Sequence, residues 1–159
     1  MTQQASYQLN MSRIFGVVPS ALYHAFIEPG LLGAWFPRSG WSLPAEQAEI
    51  DPRPGGMLRY VLVSTHDPLQ RVLKSARFSD AQQDRLLAWT KEPSPGGVPR
   101  QRSAAHTVQV ELFPESHRTT RLELREGPFS EAAEIDARDC WNCAFGRLDR
   151  ALAEVAVGR

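Results

Sequence analysis

From Ser130 to Gly158 the chain reads SEAAEIDARDCWNCAFGRLDRALAEVAVG, and Ala137, Trp141, Phe145, Leu148, Leu152 and Val155 follow one another at gaps of three and four. That spacing sets them on one face of a helix. Ser130 stands where an N-cap belongs, and Glu131 and Glu134 lie near the positive end of the helix dipole. A helix of about 25 residues is ~38 Å long, enough to cross a whole small sheet.

The residues before it follow a different period. YQLNMSRIF (7–15) alternates as a strand, and Pro19 then opens a helix, PSALYHAFIE, since proline suits a first helical turn. Pro29 ends it, and GLLGAWF reads as a second short helix. Strands follow at 45–51, 57–65, 70–78, 84–92, 104–113 and 118–126, of which MLRYVLVST is richest in branched and aromatic residues. PRPGG, before that strand, makes a tight turn. The segment PSPGGVPRQR, with three prolines and two glycines, predicts a flexible hairpin loop over about 93–103. Helices grouped apart from hairpin-linked strands indicate an α+β protein with an antiparallel sheet.

The chain has 159 residues, which suits one domain with its core over about 7–155. Eighteen basic and eighteen acidic residues cancel, so the basic excess expected of a nucleic-acid binder is missing. No stretch has the length or apolarity of a membrane span, and MTQQASYQLN lacks the pattern of a secretory signal. A cytoplasmic location is expected, with both cysteines as thiols. No metal or cofactor is expected. Neutral charge and exposed sheet edges permit a homodimer.

Both cysteines fall in CWNC, 140–143. A redox dithiol needs its first cysteine at a helix N-terminus in a βαβ setting, and roughly ten helix-compatible residues precede Cys140. A zinc site needs two further ligands, whereas His24, His66, His106 and His117 are scattered. The pair reads as structural, and Trp141 between them as a packing residue.

Several short motifs then fall in order. Arg13, Pro19, Ala25, Pro29, Trp35 and Phe36 are followed by Arg53-Pro54-Gly55-Gly56, by Asp84-Arg85-Leu86, and by Trp141, Phe145 and Leu148. In this order and spacing the chain resembles the family of homologues of the activator of the 90-kDa heat-shock protein ATPase. That family lies within the START-like, birch-pollen-allergen-like (SRPBCC) superfamily. The resemblance covers roughly residues 7 to 155, with Cys140 where the family usually has glycine. It implies a helix-grip fold: a curved antiparallel sheet of about six to seven strands wrapped around the long C-terminal helix, with two short helices after the first strand. It also implies a cavity between sheet and helices that often holds an apolar ligand. The family has no shared catalytic constellation to carry over.

Strand parity nominates residues for that cavity. Leu58, Tyr60 and Leu62 point inward if Arg59 stays in water, and His106 shares its parity with Val108, Val110 and Leu112. Glu126 shares its parity with Leu122 and Leu124, and Arg13 with Leu9 and Met11, so parity allows an Arg13–Glu126 ion pair across the first and last strands but does not decide it. Trp35, Phe36 and Trp41 form an expected lid, and Trp141 and Phe145 face inward from the last helix. Trp89 could take either face. His106, Glu126 and Tyr60 are the candidate acid–base groups.

Three functions fit. The first is binding of a small hydrophobic molecule, lipid-, aromatic- or polyketide-like. The second is a cyclase, aromatase or hydrolase acting on such a molecule. The third is a protein-interaction domain that stimulates a chaperone ATPase. No dinucleotide, phosphate-cradling, G-x-S-x-G or H-E-x-x-H motif is present to favour another chemistry.

Overall fold

The computed structural model describes residues 6–92 and 106–157, so the loop expected at 93–103 lies outside the described residues. The first strand, β1 (Tyr7–Phe15), leads into two short helices, α1 (Pro19–Ile27) and α2 (Pro29–Trp35). Two short strands follow, β2 (Trp41–Ser42) and β3 (Ala48–Ile50), and then five longer ones: β4 (Met57–Ser64), β5 (Arg71–Gln82), β6 (Leu86–Lys91), β7 (Thr107–Ser116) and β8 (Thr119–Phe129). The chain closes with α3 (Glu131–Val157). The strands form one curved antiparallel sheet in the order β1-β8-β7-β6-β5-β4-β2, with β3 also on β4. This is the α+β helix-grip arrangement.

The sheet has eight strands rather than six to seven, and both β2 and β3 are fragments. The strand expected over 45–51 is shorter than the sequence suggests. Residues Ala45–Gln47 coil into a 3₁₀ turn after Pro44, closed by the Gln47 N–H donating to the Pro44 carbonyl at 3.0 Å. Ala and Glu have little preference for the extended state that would oppose this.

The glycines of the Arg53–Gly56 turn are there for steric reasons. Gly55 has φ +84°, in the left-handed region, and its N–H donates to the Phe78 carbonyl at 2.8 Å. A Cβ on Gly56 would stand 2.0 Å from the Asp51 carbonyl oxygen. The turn thus ties the start of β4 to β5.

Helix α3 begins as its sequence predicts, with Ser130 Oγ accepting the Ala133 N–H at 3.2 Å. Its buried face carries Trp141, Ala144, Phe145, Leu148 and Leu152, which rest against β1, β8 and α2. Leu9, Phe15, Leu122, Leu124, Phe145 and Leu148 are fully buried, and each such side chain stabilises the fold by roughly 1.5–3 kcal/mol. Val155 continues the stripe by sequence but is 44% exposed, because it borders an open groove between α3 and α1.

The Arg13–Glu126 pair that parity left open does not form. β1 and β8 are neighbours, but Leu9 lies opposite Glu126 and Arg13 opposite Leu122. Four positions along a strand separate the two by about 13 Å. Arg13 instead reaches Asp149 on α3.

Candidate functional site

Among the described residues Glu126 is the one buried carboxylate, and its surroundings define the candidate site. Alternation along β8 turns it to the concave side with Leu122 and Leu124. A charge there requires donors. Trp141 on α3 donates its indole N–H to Glu126 Oε1 at 2.7 Å. Lys91 Nζ, at the end of β6, lies 2.8 Å from Oε2, and His106 Nε2, just before β7, lies 2.7 Å from the same oxygen. Three of the roughly four acceptor positions of a carboxylate are taken. Burial pushes the Glu126 carboxyl up. The hydrogen bond from His106, the charge and hydrogen bond of Lys91 and the Trp141 N–H together outweigh it and hold the group at about 2, against an ordinary 4.5. His106 Nδ1 also lies 3.2 Å from the Pro128 carbonyl. An acceptor thus stands at each ring nitrogen, and both contacts are hydrogen bonds at once only in the imidazolium form.

Above this cluster α2, α3 and strands β4–β7 enclose a cavity of about 140 Å³. Phe36, Leu58, Tyr60, Trp89, Val108 and Trp141 wall it. Phe36 meets Tyr60 edge-on at 5.7 Å and Trp141 at 6.0 Å, so the rings brace one another. Lys74, Ser75, Lys91 and Glu92 supply the polar part of the lining. Burial, and then the charge of Glu126, pushes the Tyr60 hydroxyl up to about 12. At neutral pH Tyr60 is therefore a donor and not a base.

The cavity brings together only part of the set expected from sequence. Phe36, Leu58, Tyr60, Val108 and Trp141 line it, whereas His106 is not part of the lining and is linked to Lys91 and Trp141 only through Glu126. Of the expected lid only Phe36 reaches it. Trp35 is fully buried, gives its indole N–H to the Ala25 carbonyl at 3.0 Å, and borders the α1–α3 groove instead. Trp41 pairs with Ser64 on the edge strand β2, away from the cavity. Phe145 is core, packed edge-on to Phe15 at 5.7 Å. Leu62 is half-buried and lies beyond the cavity along β4.

Trp89 takes the inner face, opposite Phe78 and Val108. Lys74, Ala76 and Lys91 went unnoticed in the sequence. The signal was nonetheless there: Lys74 shares its parity with Ala76 and Phe78, and Lys91 with Leu87 and Trp89. The thiols stand apart from the cavity. Cys140 faces the Arg38 guanidinium, Cys143 is exposed, and both are free. Among the described residues no group of three His, Cys, Asp or Glu is arranged to hold a metal ion.

The family model for Activator of Hsp90 ATPase homolog 1-like protein matches residues 17–153. The chain belongs to this family. Members of the wider SRPBCC class commonly bind hydrophobic ligands. No curated protein matches the chain significantly. Solved structures are similar in fold at low identity. A protein of Chromobacterium violaceum is 18% identical with a TM-score of 0.76, over 91% of this chain and 96% of that one. A protein of Nitrosomonas europaea is 22% identical with a TM-score of 0.74, over 92% and 94%. An AHSA1 protein of Silicibacter pomeroyi is 21% identical with a TM-score of 0.71, over 96% and 100%. No described helix is long and apolar enough to cross a membrane.

Proposed function

We propose that this family member binds a small molecule with an apolar body, about the size of one aromatic ring, in the cavity between its sheet and α3. The observation that carries this reading is the cavity itself: about 140 Å³, walled by aromatic and aliphatic side chains. An apolar cavity of about 150 Å³ is known to accept benzene, whereas drug-sized ligands occupy about 300–1,000 Å³. The aromatic option therefore fits better than the lipid- or polyketide-like ones.

Binding is favoured over catalysis by the state of the polar groups. An acid–base catalyst works best with a group that titrates near the working pH. Glu126 is held at about 2 and Tyr60 at about 12, both far from neutrality. The cyclase, aromatase or hydrolase reading thus lacks support from these two groups, and the chaperone-ATPase reading rests on the family name. In the binding reading the protein works in the cytoplasm, where Cys140 and Cys143 stay reduced.

Native and denaturing mass spectra of the protein purified from its own host test the proposal. A discrete small adduct in the native spectrum alone is the expected result, and Ala76→Leu, which fills the cavity from β5, abolishes it. An adduct retained at full occupancy in the Ala76→Leu protein would place the ligand elsewhere and refute the reading.

A further inference from the structure

The polar part of the cavity lining is not evenly charged. On β4 and β5, Tyr60 and Lys74 stand directly opposite each other; on β5 and β6, Ala76 stands opposite Lys91. Lys74 and Lys91 are therefore diagonal neighbours on the concave face, ~7–8 Å apart at the backbone, within reach of one shared anion. Both line the cavity. Lysine rarely faces inward on a sheet, and Lys74 does so while keeping its side chain in water.

The acids nearby are already engaged. Glu126 is matched by Lys91, His106 and Trp141. Glu92 is held by Arg77 Nε at 2.9 Å and by Ser75 Oγ at 3.4 Å. Lys74 has no carboxylate within ion-pair distance among the described residues. Of the charged residues that line the cavity, Lys91 and Glu92 thus have ion-pair partners, and Lys74 has none among the described residues. The protonated Tyr60 hydroxyl receives no hydrogen bond from a described side chain that would lower it, and it stands in the lining as a further donor.

We propose that the cavity takes a small aromatic carboxylate, with its ring among Phe36, Trp89 and Trp141 and its carboxylate between Lys74, Lys91 and the Tyr60 hydroxyl. The inference rests on the binding reading above and names the ligand class. Hydrogen bonds to charged groups are the stronger kind, and with Lys74 exposed the ammonium–carboxylate contact is open to screening by salt.

Calorimetric titration with two probes of nearly the same shape, benzoate and benzyl alcohol, separates the two claims. The expected result is benzoate binding tighter by about tenfold or more at low salt, with the preference shrinking as salt rises. In Lys74→Met, which keeps the apolar stem and changes an exposed position, the benzoate-to-alcohol ratio falls toward one. Equal affinities in the unaltered protein would overturn the carboxylate inference and leave the cavity reading standing. A preference that survived both Lys74→Met and Lys91→Met would also overturn it. Binding of neither probe would overturn both.

Discussion

The two halves of the concave face meet α3 differently. On the β1–β8 side, Leu9, Phe15, Leu122 and Leu124 share one core with Phe145 and Leu148 of α3, and all six are fully buried. On the β4–β6 side, the space between sheet and helix is bridged by Phe36 from α2 and keeps a cavity lined by Tyr60, Trp89 and Lys91. One helix and one sheet thus produce a closed half that holds the fold together and an open half that can hold something else. Glu126 sits at the seam, and its bonds reach both the helix and the strand end at the cavity.

That contrast can be broken in the closed half at greatest cost. Phe145→Ala removes a fully buried ring and is expected to lower unfolding stability by about 3–5 kcal/mol in urea titration. The seam comes next. Glu126 titrates at about 2 in the fold and near 4.5 when free, so its contribution is complete above pH 4.5 and disappears as pH falls from there towards 2. At 1.36 kcal/mol per unit this amounts to about 3 kcal/mol. Urea midpoints measured against pH are expected to drop more steeply for the unaltered protein than for Glu126→Gln, and parallel curves would contradict the assigned role. In the open half, Tyr60→Phe deletes only the hydroxyl facing the cavity. It is expected to change stability by no more than about 0.5 kcal/mol while weakening benzoate. Smallest of all, Cys140→Ser keeps an acceptor for Arg38 and is expected to leave the thermal midpoint within about 2 °C.

Period and parity made much of this legible in the sequence. The change from strand alternation to helical spacing at Ser130 marks α3, and alternation alone turns Leu58, Val108 and Glu126 inward. What period cannot carry is register. Arg13 and Glu126 share the inner face of adjacent strands yet lie four positions apart, so Arg13 serves α3 through Asp149 while Glu126 finds Lys91, His106 and Trp141. Nor does a residue's type reveal which void it borders. Trp35, Phe36 and Trp41 look alike as lid residues, but the chain's path sends one to a groove, one to the cavity and one to the sheet edge. The cavity's volume is what remains between two packed surfaces, and no local pattern encodes it.

The central claim is that the open half, and not the groove between α1 and α3, is where a small ligand sits. The most direct measurement is a set of intermolecular nuclear Overhauser effects from bound benzyl alcohol in isotope-labelled protein. Contacts from its ring protons to Trp89, Val108 and Trp141 are the predicted result. Contacts confined to groove residues such as Val18 and Leu152 would contradict it.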